Sequence, residues 1–353
     1  MPDSAFSWKL TGAFAALYLI WGSTYLAIRF ALETLPPFTM SGARFVVAGM
    51  ILYGWARLRG AVSPALRHWP PALLIGVLLI LLGNGGVVWA EQSLSSGMTA
   101  LLIATEPLFI VLLDWLRPGG RRPSWIVAAG LILGFFGTAV LFAPWSSPGM
   151  SAFNWAGAAS VLLASVAWAA GSLYALRAEQ PSSPFLSTGM QMFCGGGWLL
   201  LAGYLTDEWK AINLAHASVR SWIAVSYLLV FGSLIAFTAY IWLLRATTPA
   251  RASTYAYVNP VVAVFLGWLL AGEVVTARML LAMGIIISAV VLIVSRQGQR
   301  TAQTLVHPES PQAGLEDGTL HLRVTVLGQG SASRVLPPSS CGCLRANHMK
   351  HSS

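Results

Sequence analysis

Of the chain's 353 residues, 56% are hydrophobic and only 9% are charged, against about a quarter charged in soluble domains. That balance excludes a soluble globular protein and indicates a polytopic membrane protein. The formal charge of +9 reflects where Lys and Arg fall between apolar runs and is not read as a nucleic-acid patch.

Apolar stretches of about 20 residues, the length that crosses a hydrocarbon core about 30 Å thick, are predicted as helices over 10–31, 38–57, 70–90, 97–116, 124–143, 153–176, 185–205, 220–244, 253–271 and 277–295. The first is longer than the apolar core of a secretory signal and lacks an A-x-A cleavage site, so it is read as a retained helix. It carries Trp21 and Tyr25, and the second span carries Arg44. The third holds Asn84 within "GNGG", where flanking glycines permit close backbone approach. Glu91 near its end and Asp114 near the end of the fourth span are expected to be solvated.

In the fourth span, "ATEPLFIVLLDW" sets Glu106 directly before Pro107. A charge near the bilayer centre costs about 2.5–3.5 kcal/mol on insertion scales, so one that persists is expected to face a partner or a wet cavity. Glu106 lies about eight residues into its helix and Arg44 about seven into the second, so both sit roughly 12 Å deep at about 1.5 Å per residue. Their matched depth predicts an Arg44–Glu106 ion pair, which either opens to bind a zwitterionic or anionic solute or stays closed and locks two helices together. Pro107, and Pro260 in the ninth span, each remove a backbone hydrogen bond and are expected to kink their helices, freeing the carbonyls of Ile103 and Ala256.

The later spans carry further polar and aromatic candidates: Trp168, Tyr174, Gln191, Tyr255 and Asn259. Trp89 and Trp242 are expected in the interfacial aromatic belt. "GLILG" (130–134) and "GGGW" (195–198) read as small-residue packing faces, not phosphate loops.

Orientation follows from Lys and Arg, which are left preferentially on the cytoplasmic side. With the N-terminus inside, twelve of them fall between spans on the inner side, Arg57, Arg117 and Arg245 among them, and only Arg29, Lys210, Arg220 and Arg278 on the outer side. Both termini are therefore expected in the cytoplasm. Beyond about 297 the apolar periodicity stops, and the tail is expected to be disordered, with "LHLRVTVLG" at most a short strand. Cys341 and Cys343 in "CGC" lack two further ligands for zinc, and no cofactor or metal is expected.

The chain also repeats itself. "TEPLFIVLLDWL" (105–116) lies over "VNPVVAVFLGWLL" (258–270), and "PFTMSGARFVVAG" (37–49) over "PFLSTGMQMFCGG" (184–196). "WGSTY" (21–25) has a looser counterpart in "AGSLY" (170–174). These offsets set Gln191 opposite Arg44 and Asn259 opposite Glu106, polar but uncharged. Five spans per copy force the second copy to enter the membrane from the other side. The fold class expected is thus all-α, with ten transmembrane helices in two inverted five-helix repeats, an arrangement used by secondary transporters with a midplane site between the halves. The domains expected are a short N-terminus 1–9, a first repeat 10–143, a second repeat 144–296 and the tail 297–353.

At "LYLIWGSTYLAIRFALETLPPFTMSGARF", "GNGGVVWAEQSLSSGMTALLIATEPLF" and "YAYVNPVVAVFLGWLLAGE" the chain resembles an EamA-type permease of the drug/metabolite transporter superfamily, in its YedA-like branch. The resemblance covers roughly 10–295 and implies ten helices in a basket around a central cavity, with transport not driven by ATP hydrolysis. It also places Trp21, Tyr25, Trp168, Tyr174 and Tyr255 on the helices around that cavity. Gly272 and Glu273 match the family's "GE" after the fourth helix of a repeat; the first repeat reads "RPGGRR" there.

The function expected is secondary-active export of small metabolites, amino acids or amphiphilic drugs across a bacterial inner membrane by alternating access, with protons coupled through Glu106. The alternative is an uncoupled facilitator or an importer of a small polar solute. The partners expected are a small-molecule substrate, the lipid bilayer and protons, with no nucleic acid and no feature that demands more than a monomer. An intramembrane enzyme is disfavoured, because His68 and His216 lie in loops and the remaining histidines in the tail.

Overall fold

The computed structural model describes residues 4–118, 122–142, 154–213, 216–247, 252, 255–306, 312–316 and 319–323. Two compact units separate at 301/302. Ten helical runs of at least 17 residues are found among the described residues: α1 (residues 4–31), α2 (Pro37–Leu58), α3 (Leu66–Ala90), α4 (Ser96–Leu116), α5 (Trp125–Phe142), α6 (Trp155–Ala175), α7 (Pro184–Leu205), α8 (Val219–Ala246), α9 (Tyr255–Ala271) and α10 (Ala277–Val306).

Five runs are long and apolar enough to cross a membrane: α3, α4, α6, α8 and Trp8–Ala31 of α1. Apolar stretches in α5, α9 and α10 are shorter. Helices α2 and α7 are less apolar because much of their facing sides is glycine, serine and threonine, with Arg44 and Gln191 among them.

Helix starts follow local chemistry. Ser95, Asn154, Ser183 and Ser218 each accept a hydrogen bond from a backbone N–H of the first turn they precede. Helix α2 has no cap of its own. Its first turn is capped by Glu208 from beyond α7, which accepts from Phe38 N at 3.1 Å, Thr39 N at 2.7 Å and Thr39 Oγ1 at 2.9 Å.

Three runs contain π-helical segments, at Leu17–Trp21 in α1, Gly76–Asn84 in α3 and Leu228–Phe237 in α8. Segments with this i→i+5 bonding are uncommon and gather at functional sites. The segments in α3 and α8 occupy equivalent places, since the offset that sets Pro107 on Pro260 sets Asn84 on Phe237.

The closest helix packing is between α2 and α7. A Cβ added to Gly49 would lie 2.5 Å from Phe193 N and 2.8 Å from Gly189 O. At Gly196 it would lie 2.7 Å from Val46 N and 2.9 Å from Gly42 O. Gly42 and Gly49 stand 147 positions before Gly189 and Gly196, as do Val46 and Phe193. Each contact therefore has a mate in which the repeats exchange roles, which is the geometry of a two-fold axis between antiparallel helices. Gly195 extends the seam to α3, where its Cβ would meet Gly76 O at 2.7 Å. The "GGGW" segment is thus a packing face.

One helix end differs from the expectation. Helix α10 continues to Val306, past the expected end of regular structure near 297. In the second unit, β1 (Gln312–Glu316) pairs antiparallel with β2 (Thr319–Arg323), Gly314 opposite His321. A lone two-stranded hairpin is marginal in water. Cys341 and Cys343 lie outside the described residues.

Gly49→Ala and Gly196→Ala are expected to wedge α2 from α7 at a cost of about 1–3 kcal/mol each. Gly54→Ala and Gly197→Ala, where an added Cβ meets nothing within 4 Å, should be nearly neutral. Thermal unfolding of the detergent-solubilised variants separates the two pairs.

Candidate substrate cavity

Between the two halves lies a cavity of about 680 Å³, its mouth included. Of the side chains singled out from the sequence, Trp21, Tyr25, Arg44, Asn84, Glu106, Trp168 and Tyr255 line it. They reach it from α1, α2, α3, α4, α6 and α9. Helix α8 adds Gly232, Ser233 and Phe237 from its π segment. Those three were not singled out, because π bonding leaves no residue signature.

Glu106 owes its position to a break. Helix α4 stops at Ile103, turns through Ala104 and Thr105, and restarts at Glu106 with Pro107 in its first turn. Pro107 therefore divides its helix, where a kink was expected, whereas Pro260 lies inside a continuous α9. Ile103, whose carbonyl Pro107 cannot bond, lines the cavity. Glu106 is 1% exposed at the N-terminus of the second half-helix, where the backbone N–H groups favour an anion. Its Oε2 accepts from the Tyr255 hydroxyl, and its Oε1 has no partner among the described residues.

Arg44, 4% exposed, donates through Nη2 to Asn84 Oδ1 at 2.8 Å, and its Nε has no partner among the described residues. Its guanidinium also lies over the Phe45 ring, 4.4 Å from the centroid. The expected Arg44–Glu106 ion pair is not among the salt bridges of the described residues. Matched depth fixes a residue's level in the membrane but not the direction in which it points, and each group has found a neutral partner instead. Both still border one space with bonding capacity unused.

An aromatic cluster closes one side. Trp21 meets Trp168 edge-on at 5.5 Å, Tyr240 at 5.1 Å and Tyr255 at 5.0 Å between ring centroids. Trp21 Nε1 donates to Gly232 O at 3.3 Å, and Trp168 Nε1 donates to the Tyr240 hydroxyl at 3.1 Å. Ser172 Oγ lies 2.6 Å from that hydroxyl. Tyr240, fully buried, was missed from the sequence; its only signal was a second-repeat position close to Trp242.

Three candidates stand off the cavity lining. Tyr174 is 36% exposed on α6. Gln191 is buried and donates through Nε2 to Gln180 Oε1 at 3.0 Å and Ser187 Oγ at 3.1 Å. The Asn259 amide lies 3.2 Å from the carbonyls of Tyr255 and Tyr18, two acceptors that assign its nitrogen to that side. Glu91 is also a correction: expected to be solvated, it is 2% exposed. Asp114 is 42% exposed and paired with Arg117 Nε at 2.7 Å. Glu273 accepts from Ser96 N and Oγ at 2.9 Å each and from Gly97 N at 3.2 Å, which caps α4.

A helical bundle that holds unsatisfied charged groups and aromatic rings around a central cavity is the architecture of a membrane transporter. The chain belongs to the EamA-like transporter family, whose profile it matches twice, over residues 9–143 and 155–295. It is 40% identical over 309 residues to YedA of Escherichia coli K12, described as an uncharacterized inner membrane transporter, covering 87% of this chain and 97% of that protein. It is 24% identical to the transporter YvbV of Bacillus subtilis, covering 84% and 96% of the two chains, and 27% identical to the protein PecM of Dickeya dadantii, covering 78% and 88%. A solved crystal structure shares the fold at a TM-score of 0.59 and 18% identity, covering 83% of this chain and 98% of that one. The protein is thus a membrane transporter, not an enzyme.

Tyr240→Phe should leave the Trp168 N–H without its acceptor and cost about 1–3 kcal/mol. Trp168→Phe added to it should cost less than the sum of the two single changes, since both remove the same bond. Unfolding of the four proteins in detergent forms the cycle.

Proposed function

We propose that all ten helical runs cross a bacterial inner membrane as two five-helix repeats of opposite orientation, with both termini in the cytoplasm, and that the protein exports a small metabolite, amino acid or amphiphilic drug by alternating access. The α2–α7 glycine seam supports the inverted arrangement, since it relates equivalent residues of antiparallel helices by a two-fold axis. Secondary transporters with this symmetry bind substrate between the repeats and rock about the site.

One observation carries the reading of the cavity. Arg44 Nε and Glu106 Oε1 lack a partner among the described residues, and both residues line one space. Buried polar atoms left unpaired are costly, so the site favours a solute that offers an acceptor to the guanidinium and a donor or a cation to the carboxylate. Trp21, Trp168 and Tyr255 supply flat apolar walls for the remainder of that solute. A zwitterion or an amphiphile with both kinds of group fits best. Proton coupling follows if Glu106 exchanges a proton for a cationic group as the site alternates.

A thermal-shift screen of the solubilised protein against amino acids, amphiphilic drugs and phosphorylated sugars identifies the class, and Arg44→Ala should abolish the shift. With that solute in sealed vesicles, an imposed pH gradient should drive its accumulation by the wild type. Glu106→Gln should lose this accumulation and keep counterflow. Accumulation unchanged in Glu106→Gln would remove this carboxylate from the coupling, and counterflow alone in the wild type would make the protein a facilitator.

A further inference from the structure

The end of α3 carries a second buried carboxylate that the reading above leaves idle. Glu91 is 2% exposed, and neither of its oxygens has a hydrogen-bond partner among the described residues. The ionised groups that act on it come from three other elements: Arg29 of α1, Arg44 of α2 and Glu273, which follows α9. Tyr25 of α1 feels the charge of both Glu91 and Glu106.

Most of these neighbours are already engaged. Glu273 caps α4, and Arg29 Nε lies 3.5 Å from its Oε1. Arg44 bonds to Asn84 and borders the cavity. Glu91 is therefore a carboxyl removed from water, without a donor among the described residues, and under the influence of one carboxylate and two guanidinium groups. In such a place the ionised form depends on the nearby cations, and the neutral form is favoured once one of them is taken up by another anion.

We propose that Glu91, at the end of α3 about two helical turns beyond Asn84, the partner of Arg44, is a proton-binding site of this transporter, and that its proton occupancy is linked to anion binding in the cavity. While the cavity is empty, ionised Glu91 balances the charge of Arg44. An anionic group that docks on Arg44 uses that positive charge, and Glu91 then takes up one proton from water. Reciprocity requires that a protonated Glu91 leave Arg44 free and raise anion affinity. Anion and proton thus bind together. The site stands apart from Glu106, which is on α4 and bonded to Tyr255, and does not depend on coupling through that residue.

Infrared difference spectroscopy of the full-length solubilised protein over a pH series reads protonated carboxyls directly and needs no substrate. Wild type and Glu106→Gln should share a titrating carboxyl C=O band that Glu91→Gln loses. Glu91→Asp, which keeps a carboxyl, should show the band again at a shifted frequency. Arg44→Gln should move its midpoint to higher pH by about one unit or more, because a neighbouring cation is gone. The proposal is overturned if no buried carboxyl titrates in the wild type or if Glu91→Gln keeps every titrating band. It is overturned equally if Glu91→Asp, eluting as a folded species, fails to restore the band. An unmoved midpoint in Arg44→Gln would sever the link to the cavity.

Discussion

The fold hangs on the backbone contact between α2 and α7. Where lipid replaces water there is little hydrophobic force between helices, and association rests on close packing that small residues allow. Gly42, Gly49, Gly189 and Gly196 bring two main chains so near that no side chain fits between them. Because each contact is repeated with the roles of the halves exchanged, this seam sets the relation of one half to the other. Gly76 and Gly195 extend it to α3, the helix that carries Asn84 to the cavity.

Within that symmetric frame the chemistry is one-sided. Helix α4 is broken, and its break sets a buried carboxylate at the cavity wall; α9 runs through its proline and holds Asn259 beside the carbonyls of Tyr255 and Tyr18. Arg44 borders the cavity, while its counterpart Gln191 is bound up with Gln180 and Ser187, and Arg245 Nη2 adds a bond to the same Gln180 at 3.0 Å. The first half contributes the charged groups of the cavity wall, and the second contributes aromatic rings and small polar groups. Trp21, Trp168, Tyr240 and Tyr255 stand together beside that space, and the short bonds from Trp168 and Ser172 to Tyr240 keep the rings in place.

The apolar runs, the doubled pattern and the charged groups of the cavity, Arg44 and Glu106, could be read from the chain, because each rests on composition or spacing. The pairing of Arg44 with Glu106 could not, since depth along a helix says nothing of rotation about it. Glu91 was misplaced for a related reason. A position at a helix end looks wet until segments distant in sequence are packed around it, and Glu91 is buried. The π segments of α3 and α8 were equally hidden, as an extra residue per turn changes backbone register without calling for any particular side chain. Tyr174 became a candidate through the family resemblance and Gln191 through repeat position, and neither fixes the direction in which a side chain points.

The two borrowed carboxylates have a further implication. Glu208 and Glu273 belong to the second half of the chain, yet the helix starts they satisfy, at Phe38 and Ser96, belong to the first. Among the described residues, α7, the counterpart of α2, begins at its own Ser183. Duplicated halves of this sort are commonly pictured as interchangeable modules that once assembled as separate subunits. Here the lending ties the amino-terminal module to its fused twin: encoded by itself, it would leave the first turn of α2 without a side-chain cap and that of α4 with Ser95 alone.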